Sequence, residues 1–362
     1  MYRPQALSFS SLRCVYKHLR PFSQANPFET SRSCQVRLSS THRDASSQPK
    51  GREMLSPGSV LSGQSGRDFT VERVLQKKEG SPLGVYLATC ANEKFILKDV
   101  ADFEYLGDIY SKVDPCPYLR LPQDTVPSRS MYAYRFFTDE FLSLAANTDL
   151  PLATTKRILK DALRGLAALH EQNIVHNDVK PNNILVDRKD DKIECVQLGD
   201  IEDAAIVPPG TALLGRQLGN WMWRSPEAHA EGPMTTPSDI FSFGIVCIYA
   251  VHKRIMFAVD ESELGPGEEI LAHVLERQIS FFADADGIQG FIDLIGRNDS
   301  PYTEIFRVIR DGFNAENPWR QFSLWENVDP VFKDLVCRMT VFDPVKRITA
   351  RDALAHPWFE GV

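Results

Sequence analysis

The residues best able to do chemistry together lie in one stretch, His176-Asn177-Asp178-Val179-Lys180-Pro181-Asn182-Asn183-Ile184-Leu185. A carboxylate (Asp178), an ammonium (Lys180) and a carboxamide (Asn183) share a short loop, and the apolar pair Ile184-Leu185 anchors its end in a core. Phosphoryl transfer needs such a set: an acceptor for a hydroxyl proton, a cation for a phosphate, and an oxygen ligand for Mg²⁺. A polar loop with a cap residue and a turn asparagine would use the same letters. The flanking elements decide between the two.

Upstream, Thr154 or Thr155 can cap a helix running to about Glu171, with Ile158, Leu159, Ala162, Leu163, Leu166 and Leu169 on its buried face. It leads through the short strand Asn173-Ile174-Val175 into the loop. Downstream, Glu194 to Gly199 reads as a strand ending in Asp200-Ile201-Glu202. Nearer the N-terminus, Asp68–Leu75, Val85–Ala88 and Lys94–Val100 have strand composition, and Met131–Phe137 reads as a buried aromatic strand. Lys98 closes an apolar run, so its stem lies on a core while its ammonium reaches a cleft. Towards the C-terminus, Asp239-Ile240-Phe241-Ser242-Phe243-Gly244 opens a buried helix to about Val251.

The loop's spacing resembles the catalytic loop of the protein kinase family, H-R-D-x-K-x-x-N. Further signals resemble that family in the same order: Lys98, the D-F-G-like Asp200-Ile201-Glu202, the A-P-E-like Ser225-Pro226-Glu227, and Asp239 with Gly244. The resemblance covers about residues 68–360. It implies an α+β, two-lobed fold, with a β-rich lobe at 68–137 and a mostly helical lobe at 138–360, in a kinase domain of 66–360.

The resemblance also implies roles. Asp178 would orient the substrate hydroxyl and Lys180 would meet the γ-phosphate, while Asn183 and Asp200 would hold Mg²⁺. Lys98 would reach the α/β-phosphates with Glu104 as its partner, and Asp102 and Asp108 stand as rivals for that place. Gly80 matches the second glycine of the phosphate loop, with Lys78 and Leu83 where the others would be. Val85, Ile96 and Leu185 would line the nucleotide site, with Tyr134 at the back and Arg135 to Phe137 offering backbone groups to adenine. Glu227 would pair with Arg347, Asp239 would hold the catalytic-loop backbone, and His356 would be structural.

The implied activity is that of an ATP- and Mg²⁺-dependent protein serine/threonine kinase, Lys180 two after the aspartate being the Ser/Thr-type arrangement. Four departures keep an alternative open, a catalytically impaired pseudokinase that acts as a binding or scaffolding module. These are the thinned glycine loop, Glu202 in place of glycine, Asn220 in place of threonine, and Ile96 where a small residue commonly meets adenine. Asn177 replaces the arginine that binds an activation-segment phosphate in many kinases, so no phosphorylation between Ile201 and Ser225 should be needed.

Composition agrees with a globular protein and narrows its partners. The 362 residues are 43% apolar and 25% charged, and the longest apolar run, Ile245 to Val251, is too short to span a bilayer. Seven cysteines are scattered with no C-x-x-C pair, which is neither a disulfide framework nor a zinc site and suits a reducing compartment. Residues 1–65 carry +6 and the remainder −13, so the acidic body argues against a nucleic-acid binder. A protein substrate is implied, of unknown identity. The acidic loop Asp260 to Glu269 would attract basic peptides, although such loops are usually only solvated.

The leader, residues 1–65, is Ser/Arg-rich, and Leu12, Val15, Tyr16 and Leu19 recur at helical spacing with Arg13, Lys17 and Arg20 off that stripe. That pattern looks like a mitochondrial transit peptide, with a disordered basic tail on a cytoplasmic or nuclear protein as the alternative; import is the favoured reading. Ser23 to Gly66 reads as linker.

Overall fold

The computed structural model describes residues 53–77, 83–190 and 192–362. The transit-peptide stripe, Gly80 and Lys78 lie outside these residues. The described residues form two compact units, one of 53–174 with 181–206, the other of 175–180 with 207–362.

The first unit is built on a six-stranded antiparallel sheet of order β1-β2-β3-β4-β6-β5. Its strands are β1 (Val60–Ser62), β2 (Asp68–Lys77), β3 (Gly84–Cys90), β4 (Glu93–Asp99), β5 (Asp124–Val126) and β6 (Met131–Arg135). Strand alternation makes its core: Phe69, Val71, Tyr86, Ala88, Phe95, Leu97, Met131 and Ala133 are all buried on one face. The expected linker therefore ends before Gly66. Strand β1 pairs with β2, and Met54, Leu55 and Leu61 pack on the core, because three apolar side chains suffice to dock a Ser/Gly/Pro-rich segment on a sheet edge.

Helix α1 (Phe103–Lys112) follows β4, capped by Asp102, whose carboxylate accepts from the Tyr105 backbone N–H at 3.0 Å. After it, β7 (Asp139–Glu140) and α2 (Phe141–Asn147) lead to α3 (Leu152–His170). All six residues expected on the buried face of α3 are fully buried. Its start differs from expectation: the helix begins with Pro151 at the cap and no side-chain cap bond, so Thr154 and Thr155 lie within its first turn. A proline fixed near helical φ opens a helix without needing a hydroxyl. The short strand β8 (Ile174–Val175) follows α3, and β9 (Ile184–Lys189) lies between β7 and β10 (Lys192–Leu198) in a three-stranded sheet, with α3 packed on β10. Backbone bonds of 2.8 Å from the Leu198 N–H to the Tyr118 carbonyl and from the Arg120 N–H to the Leu198 carbonyl tie β10 to the segment before β5, and α3, β9 and β10 group with the large sheet in the first unit.

The second unit is helical. It contains α4 (Pro226–His229), α5 (Thr236–His252), α6 (Ile270–Phe282), α7 (Ala285–Arg297), α8 (Thr303–Asp311), α9 (Pro330–Met339) and α10 (Ala350–Leu354). Helix α5 is buried on nearly every side, as its uniformly apolar sequence requires. A second core of Leu275, Ile279, Ile288, Phe291, Ile295, Phe306 and Phe342 joins α6, α7 and α8. His356 caps the turn Pro357–Phe359 and bonds Asp334 at 2.9 Å, a structural role. Among the described residues no helix is long and apolar enough to cross a membrane.

Candidate active site

The first unit holds the described residues expected to line a nucleotide site. In β4, Phe95, Leu97 and Asp99 are buried in the sheet core, so Ile96 and Lys98 lie on the opposite face. Cross-strand register sets Val85 opposite Lys98 and Tyr134 opposite Ile96, which gathers four of the expected residues on that face. The hydroxyl of Tyr134 is 2.8 Å from that of Tyr110 on α1.

Lys98 does not meet Glu104. Its ammonium lies 2.7 Å from Asp200 Oδ1 and 2.9 Å from Glu202 Oε1. Burial alone would lower this ammonium, but the Asp200 and Glu202 carboxylates outweigh it and hold the group above the ordinary lysine range. Burial likewise raises the Glu202 carboxyl, with Lys98 opposing. Helix α1 explains the correction, because its inward face is Leu106 and Ile109, which leaves Glu104 exposed. The two rivals are engaged elsewhere: Asp102 caps α1, and Asp108 pairs with Lys112 at 2.8 Å. The residue that departs from the D-F-G pattern is the second acid on Lys98, beside Asp200.

Asp200 sits in the left-handed region at φ 61° and starts the turn Ile201–Asp203, with Ile201 buried. Pairing of Leu198 with Ile184, and a 2.8 Å bond from the Gly199 N–H to the Asn183 carbonyl, keep the Asn183 and Asp200 segments side by side. Tyr105 on α1 braces the same turn by donating to the Ala204 carbonyl at 2.9 Å. Asn183 and Asp200 offer hard oxygen donors. No group of three or more His, Cys, Asp or Glu residues able to hold a metal occurs among the described residues. Two protein oxygens, with water and phosphate completing an octahedron, suit Mg²⁺, so the residues fit that ion.

The backbone expected to meet adenine is partly engaged. The Phe136 N–H donates to the Lys94 carbonyl at 3.2 Å. The Arg135 carbonyl accepts from the Arg120 guanidinium, at 3.2 Å from Nε and 2.7 Å from one terminal nitrogen. Burial lowers the Arg120 guanidinium to about 10, which still leaves it cationic at neutral pH. Arg120 lies in an apolar run, Tyr118-Leu119-Arg120-Leu121, and no spacing in the sequence singled it out.

The second unit holds Asp178 and Lys180, whose charged atoms are 2.5 Å apart. The other oxygen of Asp178 accepts the Asn220 backbone N–H at 3.1 Å. The Asn220 side chain turns instead to the Met222 N–H at 3.0 Å, so it is the backbone at this position that meets the aspartate. Asp239, buried in the first turn of α5, accepts the backbone N–H groups of His176 at 2.7 Å and Asn177 at 2.9 Å. The His176 ring accepts the Asp178 N–H at 3.2 Å. Gly219 has φ 76°, and a Cβ there would stand 2.3 Å from the Asn177 carbonyl, so only glycine lets the chain pass this close to the loop.

The rest of this segment is fastened from below. Arg347 donates to both Glu227 oxygens at 2.7 and 3.3 Å, and to the Pro237 carbonyl at 2.6 Å. Arg224, which sequence reasoning missed, donates to the carbonyls of Leu218 (2.8 Å) and Gly219 (2.6 Å) and to Gln217 Oε1 (3.1 Å). In the acidic loop, Glu263 pairs with Arg277, while Glu268 accepts from His273 at 2.8 Å and the Gly265 N–H at 2.8 Å. Of that loop's acids, Glu263 thus meets a guanidinium and Glu268 meets two N–H groups.

A family model described as the protein kinase domain matches residues 136–359. The chain is 29% identical over 300 residues to cyclin-dependent kinase 4 of Xenopus laevis, covering 82% of this chain and 83% of that protein. It is 24% identical over 305 residues to glycogen synthase kinase 1 of Pyricularia oryzae (82% and 67% covered). Against mitogen-activated protein kinase 10 of Oryza sativa subsp. japonica the identity is 27% over 315 residues (81% and 48% covered). The chain belongs to the eukaryotic protein kinase family, of the serine/threonine type.

Proposed function

We propose that the chain is a catalytically active protein serine/threonine kinase that uses ATP and Mg²⁺. The observation that carries this reading is the Asp178–Lys180 pair, held at 2.5 Å in a loop whose backbone is fixed by Asp239. Asp178 accepts the proton of a substrate Ser or Thr hydroxyl as it attacks, and Lys180 faces the charge that builds on the transferred phosphoryl group. Asn183 and Asp200 would hold Mg²⁺, which when bound neutralises phosphate charge. Lys98 supplies the cation for the other phosphates, with Glu202 to steady it.

The test is radiolabelled transfer from ATP by the full chain, wild type against Asp178→Asn. Removal of a general base of this kind costs on the order of 10²- to 10⁴-fold. Equal signal in the two proteins would overturn the reading. Nucleotide binding without transfer would replace it with the pseudokinase.

A further inference from the structure

We propose that Arg120 determines which nucleotide this site accepts, and that GTP serves as a phosphate donor alongside ATP. The inference rests on reading this face of the first unit as a kinase nucleotide site, and it names the donor that site takes.

Arg120 is fixed from several directions. Its backbone N–H donates to the Leu198 carbonyl at 2.8 Å, two residues before Asp200. Its guanidinium carbon lies 4.8 Å from the centroid of the Tyr134 ring and 5.9 Å from that of Phe137. A Cβ at Gly199 would stand 3.3 Å from the Arg120 stem. The charged group thus lies over the aromatic residue at the back of the base site. It also occupies the Arg135 carbonyl, the acceptor that a base amine would use.

An adenine brings its exocyclic amine, two N–H donors, to that edge. To reach the carbonyl it must dislodge Arg120, and a guanidinium pushed from its acceptor in a partly desolvated site is left facing other donors. A guanine brings acceptors, O6 beside N7. Arginine has five N–H donors in a planar fork, and the bonds to Arg135 engage only the Nε side. The two terminal nitrogens retain a parallel pair of N–H bonds at the far end, the geometry with which arginine meets O6 and N7 of guanine. Guanine binds with Arg120 in place, whereas adenine binds by displacing it. That difference narrows the usual preference for adenine.

The experiment measures kcat/KM for GTP and ATP with the full chain, and Kd for non-hydrolysable analogues of both, in wild type, Arg120→Leu and Arg120→Lys. Wild type is expected to use GTP within about tenfold of ATP, a bidentate base contact being worth on the order of tenfold or more in discrimination. Arg120→Leu should raise kcat/KM for ATP and lower it for GTP, shifting the ratio by at least about tenfold. Arg120→Lys, which keeps the charge and loses the fork, should shift it the same way and serves if the leucine variant melts early. An unchanged ratio in both variants, or no binding of either analogue to any of the three proteins, overturns the proposal. A shifted Kd ratio without transfer from either nucleotide upholds Arg120 as the selector and overturns GTP as a donor together with the proposed activity.

Discussion

At the scale of single residues, Lys98 shows an expected ion-pair partner replaced by acids from another segment. The ammonium has two carboxylate neighbours, and neither comes from α1. With Asp200 alone, Lys98 would have every reason to stay on the carboxylate that should hold metal; Glu202 gives it a second anchor. Glu202→Gln is expected to lower kcat/KM for nucleotide by about tenfold, or ~1.4 kcal/mol, while Glu104→Gln stays near wild type. Steady-state kinetics of the two variants checks this, and the reverse order would mean that α1 supplies the partner. The sequence made the closeness of Asp178 and Lys180 legible, because spacing within a short segment survives in the letters. It hid Glu202 and Arg120, because each acts through a contact with a residue far along the chain that no local pattern encodes.

At the scale of elements, the segment from Gln217 to Glu227 is held by arginines. Arg224 gathers its carbonyls, and Arg347 sits on Glu227 with both side chains almost wholly buried. A phosphate would find no arginine at Asn177, and none is needed for the bonds already made. Phosphatase treatment, or Thr211→Ala, is therefore expected to leave transfer activity unchanged; loss in both would show that a phosphate orders the segment. Glu227→Ala strands a buried guanidinium and should destabilise the fold by ~3–5 kcal/mol in denaturant melts. The sequence revealed the long elements, α3 and α5, whose apolar stripes or runs admit one reading. Strand β1 escaped it, since Val60-Leu61-Ser62 lies among serines, glycines and a proline and gains its conformation only by pairing with β2.

At the scale of the whole molecule, stability carries a pH signature from His229. This side chain is fully buried; its Nε2 lies 3.2 Å from the Trp221 carbonyl, and its Nδ1 has no hydrogen-bond partner among the described residues. Burial, helped by the Arg224 cation, holds it well below the ordinary 6.5. The folded state therefore binds fewer protons than the unfolded chain below that value. Its contribution is complete above about pH 6.5 and declines as the pH falls further. Tm should drop between pH 7.5 and 5.5, and His229→Gln should flatten that drop; an identical slope in the variant would assign it to other groups. The leader remains a proposal of import, and a fusion of residues 1–65 to a fluorescent protein that stays diffuse in the cytosol would end it.

The two backbone bonds accepted by Asp239 have a consequence for motion. The amides of His176 and Asn177 are tied to a long helix buried on nearly every side, so they open only when the first turn of α5 does. In hydrogen exchange they should behave as core amides, protected near the global limit, although they lie in a loop. A loop clamped in this way is a poor switch.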